Sequence, residues 1–416
     1  MAGDAFPSFW PQAGLWRDGN FVRLWVAQTV SAFGSRISRT AWPLVGFLTL
    51  GAGPAELGLI AAMAAAPAAA IGLLAGGWVD RRPKRPVLIG ADLARAGLLL
   101  WVPLAAWMGW LDVVQVTIIA GLTAALGALY GMADLAFLPA LLSRERLVEG
   151  RAKLTTADAV VEIVGPAAAG ALIQALTAPI AILLDALSFL ASAAVLAGIR
   201  VREKFETAAR AAFGADMALG WRLALSHDLM RPTFLTECVM IAAAGTLGAL
   251  YSLYAIETLG LTPVLLGVTV AVGGVGAVLG AMAVPRLVAR HGHGPAICWS
   301  FVLGVGVQPL VPLAPDDVVV GTIMLMIVQF VGDAALTASA VANIALRQAI
   351  VAPEQLGRLS AVSQVILGVL FPLGALGGGF VGEALGARAA LWVAALAMAV
   401  SPLLWWGSRL WRHRQP

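Results

Sequence analysis

Charged side chains are scarce in this chain, since Asp, Glu, Lys and Arg together make up only 12% of its 416 residues. Soluble proteins carry about 25% charged residues, whereas 60% of this chain is hydrophobic. This composition excludes the two or three soluble domains that the length alone would suggest. We therefore expect an integral membrane protein.

Cysteine and histidine are also rare. The two cysteines, Cys238 and Cys298, lie inside apolar segments without the spacing of metal ligands, so we interpret them as small core residues. All four histidines lie outside the predicted spans: His227, His291, His293 and His413. No nucleophile motif accompanies them, and we expect neither an enzyme nor a protein with a metal or cofactor. Residues 1–20 lack the basic start and apolar core of a signal peptide.

The chain is rich instead in apolar segments of the length that a membrane-spanning helix needs, about 20 residues. Twelve such segments cover residues 22–48, 55–77, 86–108, 114–138, 155–176, 179–199, 232–256, 263–286, 295–313, 318–346, 359–382 and 388–407. The sequence therefore predicts an all-α integral membrane protein with twelve transmembrane helices, called helix 1 to helix 12 in chain order. Tryptophans lie at several predicted helix ends, where their rings suit the membrane–water boundary: Trp25, Trp107, Trp110, Trp405 and Trp406.

Basic residues concentrate in alternate connections between these segments. Of the 27 Lys and Arg residues, 23 fall in the set of connections that includes both chain ends, and only Arg388 falls in the opposite set. Cytoplasmic loops carry such an excess of cations, so we expect both termini in the cytoplasm and the protein in the cytoplasmic membrane. The cations form no single patch or tail, which argues against a nucleic-acid partner.

The longest connection, residues 200–231, divides the twelve segments into two sets of six. Its Met217, Trp221 and Leu225 recur at helical spacing, which predicts an amphipathic helix on the inner membrane surface. We therefore predict a six-helix half over residues 1–199, a cytoplasmic linker, and a second six-helix half over residues 232–416.

The two halves also repeat one another in sequence. Leu57-Gly58 and Leu266-Gly267 recur at an offset of 209 residues, and Pro166 lies opposite Pro372 at an offset of 206. Pseudo-symmetric halves are the architecture of transporters that rock around a central site.

The connection between helices 2 and 3 carries the charged motif Gly76-Gly77-Trp78-Val79-Asp80-Arg81-Arg82-Pro83-Lys84-Arg85. It resembles the signature loop of the major facilitator superfamily of secondary transporters. The motif residues Gly76, Asp80, Arg81, Lys84 and Arg85 match that signature, whereas Pro83 replaces a glycine. The resemblance implies a latch, a contact that holds the cytoplasmic side closed, in which Lys84 pairs with Asp134 of helix 4. It also implies that Asp80 faces the start of helix 11 near Leu359. The alternative is that the loop only fixes the topology.

Helix 1 carries two arginines, Arg36 and Arg39, near its middle. A charge at a helix centre costs roughly 2.5–3.5 kcal/mol unless it faces water or a partner. Gln28, Ser31 and Ser35 extend a polar stripe along the same helix at steps of three and four residues. We expect this stripe to line a central cavity, as helix 1 does in the superfamily; the alternative is a structural ion pair.

Asp158 and Glu162 lie one turn apart on helix 5. Adjacent carboxylates repel each other, so one of them can hold a proton near neutral pH, as proton coupling requires. Glu162 lies at the depth of Arg36, and we predict an ion pair between them that a proton or substrate exchanges. A static pair or a gate acid is the alternative. Asp333, midway along helix 10, is a further candidate for substrate or proton binding.

Three segments resemble one branch of the superfamily. Gly165-Pro166 is similar to the Gly-Pro signature of its drug-exporting antiporters. Ala91-Asp92-Leu93-Ala94-Arg95-Ala96 and Leu184-Asp185-Ala186-Leu187-Ser188-Phe189 resemble segments of bacterial macrolide-efflux proteins and enterobactin exporters. Gly34-Ser35 stands where that branch usually has Gly-Asp, so a charge associated with the branch is missing.

These features predict a secondary active transporter that exports an amphipathic or hydrophobic small molecule, drug- or siderophore-like, by proton antiport with alternating access. A largely apolar cavity suits such ligands better than sugars, whose hydroxyls need many partners. The expected partners are the substrate, protons and membrane lipids, and we expect a monomer. The alternatives are a proton-coupled symporter that imports a metabolite and a non-transporting membrane sensor.

Overall fold

The computed structural model describes residues 14–201, 213–405 and 408–413, which are helical throughout with short connections and no strand. The first six long segments are Gly19–Leu44, Pro54–Met63 continued by Ala66–Leu74, Lys84–Trp107, Val113–Leu141, Leu147–Ala175 and Ala178–Ala197. The last six are Met230–Leu253, Pro263–His291, His293–Gly306, Val318–Ile327 continued by Asp333–Ile350, Pro353–Leu385 and Ala387–Val400. Single π-helical turns extend or join three of them, Val45–Thr49, Tyr254–Thr258 and Val328–Gly332.

Eleven of these segments are long and apolar enough to cross a membrane, counted over the described residues. Helix 1 is the twelfth long helix. It has 26 residues, about 39 Å at 1.5 Å per residue, but Arg23, Arg36 and Arg39 make it more polar than the other eleven. The all-α membrane fold predicted from the sequence is confirmed.

Several helices begin where the sequence supplies a cap. Asp18 accepts hydrogen bonds from the backbone N–H groups of Asn20 and Phe21 at the start of helix 1. Asp112 and Asp317 do the same for helices 4 and 10, at 2.7 and 2.8 Å. These carboxylates satisfy backbone donors that the first helical turn leaves unpaired.

Other helix starts differ from the predicted ones. Helix 5 begins at Leu147 instead of residue 155, and helix 11 begins at Pro353 instead of Leu359. Arg347, counted as a loop residue in the sequence, lies inside helix 10. His291 and His293, placed outside the spans in the sequence, are the last residue of helix 8 and the first of helix 9.

The repeat of 209 residues is also present in the fold, at the starts of three pairs of helices. Helices 2, 3 and 6 begin at Pro54, Lys84 and Ala178, and helices 8, 9 and 12 begin 209 residues later at Pro263, His293 and Ala387. At this spacing the counterpart of Pro166 is Ala375, so its predicted equivalence to Pro372 is wrong. We call residues 14–199 the N half and residues 230–413 the C half.

The two halves meet on the face opposite the chain ends, which we call the distal face. The largest buried apolar cluster lies there and draws from both halves, for example Leu57, Ile182, Leu250 and Leu266. The smaller clusters each belong to one half, joined in one case by the linker helix. Towards the face of the chain ends, a cavity of about 580 Å³ opens between helices 2, 4 and 11. The halves are therefore packed together on the distal face and leave this cavity between helices 2, 4 and 11 towards the face of the chain ends.

Two helix crossings of matching geometry close the distal face. A Cβ at Gly58 of helix 2 would lie 2.6 Å from the carbonyl oxygen of Ala375 in helix 11. Its counterpart Gly267 of helix 8 would meet the carbonyl oxygen of Pro166 in helix 5. Glycine is required at both positions because any side chain would push the backbones apart.

Hydrogen bonds between the halves follow the same symmetry. The Gln174 side chain accepts from the backbone N–H of Val264, and the Glu383 side chain accepts from that of Ala55, both at 3.3 Å. Gln174 and Glu383 are 209 residues apart, as are Ala55 and Val264. Within the described residues, these are the two hydrogen bonds that join the halves.

The linker helix, Phe213–Ser226, differs from its prediction as a membrane-surface helix. Its Met217 and Trp221 pack in one cluster with Leu359 and Val362 of helix 11. A Cβ at Gly220 would lie 2.8 Å from the Arg358 carbonyl oxygen. The apolar side of the linker helix therefore covers helix 11 of the protein.

Cysteine and tryptophan positions complete the comparison with the sequence. Both cysteines are free, and Cys298 is buried while Cys238 is half-buried, in agreement with their interpretation as core residues. Trp405 is 1% exposed and donates to the Pro232 carbonyl at 3.0 Å, so its predicted place at the membrane boundary is wrong. Trp406 lies outside the described residues.

Candidate transport site and gates

Helix 1 and helix 5 join through an ion-pair cluster of three charged residues. Glu162 binds Arg36 at 2.7 Å through one carboxylate oxygen and Arg39 at 3.0 Å through the other. The side chains of Arg36, Arg39 and Glu162 are 21%, 59% and 46% exposed. The predicted ion pair between Arg36 and Glu162 is present, and the exposure of Glu162 leaves it within reach of water.

Gly165 explains how Arg36 reaches Glu162. A Cβ at Gly165 would overlap the side chain of Arg36, with the Arg36 Cβ only 3.0 Å away. The next residue, Pro166, presents its carbonyl oxygen to Gly267 of helix 8. The Gly-Pro pair therefore seats the arginine on one side of helix 5 and makes the distal crossing on another.

Asp333 lies across helix 8 from this cluster. Its carboxylate packs against Gly273, and the neighbouring Gly274 contacts the backbone of Glu162 and Ile163. Asp333 interacts electrostatically with Arg36 but makes no hydrogen bond or ion pair with any residue that the structure describes. Arg36 thus has a direct carboxylate partner on helix 5 and a more distant one on helix 10.

Asp158 does not share the environment of Glu162. Its side chain is exposed, and it makes no hydrogen bond or ion pair within the described parts of the chain. Glu162 is engaged by two arginines instead of facing a second carboxylate. The two carboxylates therefore make no direct contact, and the prediction that one of them holds a proton near neutral pH stays a prediction.

Gln28 is the partner of Asp134. Its side-chain amide donates to the Asp134 carboxylate and so joins helix 1 to helix 4. Further along the predicted polar stripe of helix 1, Ser31 is buried and Ser35 is half-buried. The stripe therefore divides into a contact with helix 4, a packed segment and the ion-pair cluster.

The predicted pair of Lys84 with Asp134 is absent from the described residues. The Lys84 ammonium instead donates to the backbone carbonyls of Val79, Asp80 and Arg82 at 2.8 to 2.9 Å. Carbonyl groups at the end of a helix carry partial negative charge and lack helical partners. Lys84 is 9% exposed and therefore acts as a cap of the preceding helical segment, Gly76–Asp80.

The other residues of this loop contact their own half or solvent. Arg85 donates to the carbonyls of Leu196 and Ala197 at the end of helix 6. The side chains of Asp80 and Arg81 are exposed, and a Cβ at Gly76 would meet open space. Within the described residues, the side chains of Asp80 and Arg81 make no hydrogen bond or ion pair with helix 11.

Helices 3 and 6 carry a buried polar network to which the sequence assigned no role. Asp92 and Arg95, one turn apart on helix 3, pair with each other, and Ser192 of helix 6 donates to Asp92 at 2.7 Å. Asp185 of helix 6 accepts from Ser188 at 3.1 Å. Asp92 and Asp185 are 0% and 1% exposed. The Arg95 guanidinium lies 4.0 Å from the ring centre of Phe189, so the two segments that resemble the exporter branch meet between helices 3 and 6.

Gly34 of helix 1 closes this network. A Cβ there would lie 2.8 Å from the Ser188 Cβ and would also meet the Asp185 carboxylate. The sequence signal was Asp-x-x-Arg within an apolar helix, since buried charges need partners.

The C half contains an ion pair between Glu237, which the sequence placed in a span, and Arg347, which the sequence placed in a loop. Arg347 binds Glu237 of helix 7 at 2.7 Å and Ser363 of helix 11 at 3.1 Å. Its guanidinium lies 4.1 Å from the ring centre of Phe234.

Across the described residues, no group of three or more histidine, cysteine or acidic side chains is arranged to hold a metal ion.

Comparisons with known proteins agree with the fold described above. The family model described as "transmembrane secretion effector" matches residues 12–415. The "uncharacterized MFS-type transporter YvqJ" of Bacillus subtilis (strain 168) is 22% identical over 382 residues, which cover 87% of this chain and 88% of that protein.

Solved structures of several transporters are similar in fold. The nucleoside transporter NupG superposes with a TM-score of 0.72 at 12% identity, over 93% of this chain and 98% of its own. A bacterial homologue of the iron transporter ferroportin, in an inward-facing state, gives 0.72 at 14% identity over 93% and 98%. A bacterial homologue of the human lysosomal transporter Spinster, inward-facing and occupied, gives 0.71 at 13% identity over 97% and 98%. At these identities the likeness shows the fold.

Proposed function

This chain belongs to the transmembrane secretion effector family of major facilitator transporters, and we propose that it exports an amphipathic small molecule in exchange for protons. The observation that carries the proposal is Glu162, a half-exposed carboxylate held by Arg36 and Arg39 beside the junction of the two halves. The proposal places the protein in the cytoplasmic membrane with both termini inside, so the described state opens inward.

Charge balance explains how a proton acts on this site. With both carboxylates ionised, Arg36 and Arg39 are balanced by Glu162 and Asp333. A proton that binds a Glu162 carboxylate oxygen displaces an arginine N–H and leaves the site with one excess positive charge. Arg36 then has Asp333 as its remaining carboxylate neighbour, on the opposite half. The proton therefore changes the attraction between helix 1 and helix 10, which biases the tilt of the halves.

Export of an amphipathic molecule is supported by two observations. The family description refers to secretion, and the wall of the opening between helices 2, 4 and 11 is formed mainly by small apolar residues such as Ala65, Ala68, Ala128 and Ala361. Small apolar walls suit a hydrophobic ligand better than a sugar.

The signature loop retains its proposed role as a latch in the opposite state. When the face of the chain ends closes, Asp80 and Arg81, which are exposed here, become available to helix 11. The capping contacts of Lys84 keep the loop helical and hold those two residues in place.

The test is transport by purified protein in proteoliposomes under an imposed pH gradient, screened with lipophilic drugs and siderophores. Glu162→Gln should lower gradient-driven export at least tenfold, because the amide cannot take up the proton. Exposed ion pairs contribute about 1 kcal/mol or less each, so this variant should fold. Asp158→Asn, one turn away and exposed, is the matched control and should transport normally.

Undiminished gradient-driven transport by Glu162→Gln would reject this residue as the proton carrier. Import of the substrate with the proton, in place of exchange, would favour the symporter alternative.

A further inference from the structure

A second cavity is lined by residues of the C half alone. It has a volume of about 530 Å³ and is lined by helices 7, 9, 10 and 11 and by Trp405. Its size is that of a pocket for a drug-sized ligand, for which 300–1,000 Å³ is usual. We propose that this cavity is a binding site for a zwitterionic amphiphile, a molecule with an apolar chain and a head that carries one positive and one negative charge.

The cavity is lined by both apolar and polar side chains. Met240, Phe301 and Leu336 form an apolar side, whereas Glu237, Arg347 and Asn343 form a polar one. An amphiphile needs both surfaces, with its chain against the first and its head against the second. The arrangement therefore favours a ligand with one apolar and one polar end.

The charge of the polar side selects the head group. Glu237 and Arg347 pair at 2.7 Å, with side chains 24% and 13% exposed, and their charges cancel. A ligand with net charge would leave one unbalanced ion in a half-buried site, which is costly. A zwitterionic head can align its cation with Glu237 and its anion with Arg347, so the total charge stays zero.

The N half shows why the space exists. The counterparts of Glu237, Asn343 and Ser339, each 209 residues earlier, are Gln28, Asp134 and Tyr130. In the N half Gln28 bonds Asp134 directly, and the Tyr130 ring packs 4.7 Å from the Arg95 guanidinium.

The C half differs at each of these positions. Ser339 replaces the tyrosine, and Gly304 replaces Arg95. Glu237 pairs with Arg347 and not with Asn343, which is the counterpart of Asp134. The ring and guanidinium that occupy this region of the N half are therefore missing from the C half, although Leu336 moves towards Gly304.

The cavity borders the opening between helices 2, 4 and 11. Gln364 of helix 11 lines both this cavity and the opening between helices 2, 4 and 11. A ligand that enters from the face of the chain ends, or from the lipid beside it, therefore meets this wall of the C half.

The experiment measures binding of three probes that share a ten-carbon chain. They are a decyl sulfobetaine, decyl trimethylammonium and decyl sulfate, added below their micelle concentrations to protein in nanodiscs of phosphatidylglycerol. Binding is followed by the shift in thermal unfolding, read from tryptophan fluorescence. For the unaltered chain, the sulfobetaine should reach half-saturation at a concentration at least tenfold lower than either charged probe.

Two kinds of variant test whether the preference for the sulfobetaine arises in this cavity. Ala340→Trp fills the cavity from an exposed lining position and should remove the preference, whereas Val341→Trp, exposed but outside the lining, should keep it. Glu237→Gln leaves Arg347 unbalanced and should turn the preference towards decyl sulfate. Arg347→Gln should turn it towards decyl trimethylammonium.

Equal binding of the three probes to the unaltered chain, or a preference that Glu237→Gln leaves unchanged, would overturn the proposal. Repeating the titration in nanodiscs with phosphatidylethanolamine identifies the source of the natural head group. A lipid ligand should compete and weaken sulfobetaine binding, whereas a soluble ligand leaves it unchanged. No pH gradient is used, so a failure here leaves proton exchange at Glu162 untouched, and a failure of exchange leaves this site untouched.

Discussion

Substitution of Gly58 by alanine should open the distal face. The new Cβ would lie 2.6 Å from the Ala375 carbonyl oxygen and 3.1 Å from the Gly379 Cα. Both neighbours are backbone atoms, so relief requires helices 2 and 11 to separate. An added methyl group in a packed contact costs about 1–3 kcal/mol. If the opposite state is free of that strain, the ratio of the two states shifts about 5- to 150-fold away from the described one.

Cysteine accessibility measures this shift. In a background where Cys238 and Cys298 are serine, Ala128→Cys reports on the opening between the halves, which it lines. Val264→Cys reports on the distal face. Gly58→Ala should slow labelling of the first cysteine by a polar maleimide and speed labelling of the second. Unfolding would speed both, so the opposite signs separate a change of state from damage.

The repeat supplies a replicate of this test, and a glycine in open space supplies a control. Gly267→Ala strains the equivalent crossing of helices 5 and 8 and should move both labelling rates in the same directions. Gly90→Ala adds a methyl group where nothing lies within 4 Å and should change neither rate. Wild-type labelling rates in both Gly58→Ala and Gly267→Ala would refute the assignment of these crossings as the distal gate.

Three further predictions concern local contacts. Lys84→Met should lower the free energy of unfolding by about 1–3 kcal/mol, measured by thermal unfolding, because a buried ammonium loses its carbonyl partners; Arg81→Met, at an exposed site, should change it little. Gly34→Ala should lower the same free energy by about 1–3 kcal/mol through overlap with the network of helices 3 and 6, and an unchanged unfolding temperature would contradict this. Gly165→Ala should displace Arg36 and reduce gradient-driven transport several-fold, whereas transport at the wild-type rate would show that Arg36 needs no glycine beside it.

Hydropathy was enough to predict the helical membrane fold, because it depends on sums over many residues, and the matched Leu-Gly pairs 209 residues apart were enough to predict the repeat. Helix ends were harder. A search for apolar segments ends at the first cluster of charges, yet helix 5 continues through Arg151 and Lys153, since exposed turns of a helix tolerate charge. The same effect placed Arg347 in a loop and concealed its pairing with Glu237.

The partners of the charged residues could be predicted only in part. The match in depth of Arg36 and Glu162 was sufficient, because their helices are adjacent and few other charges lie at that level. The Lys84–Asp134 pair is absent from the described state because a lysine just after a helix end finds backbone carbonyls within reach of its own side chain; as a contact of the closed state it stays a prediction. Spacing in one sequence does not distinguish that local cap from a contact with another helix.

The repeat distinguishes the distal crossings from the proposed proton site. At the distal crossings the contacts match at a spacing of 209 residues, glycine for glycine and carbonyl for carbonyl. The charged residues of the site have no charged counterparts at that spacing: Arg36 corresponds to Gly245, Arg39 to Gly248, Glu162 to Phe371 and Asp333 to Ala124. Both crossings lie on the distal face and separate together when the halves tilt, so their symmetry does not by itself couple the tilt to a proton. Under the proposed exchange this coupling needs an asymmetric element. The cluster at Glu162 lies beside the helix 5–helix 8 crossing, where one proton would act on one crossing and not on its twin.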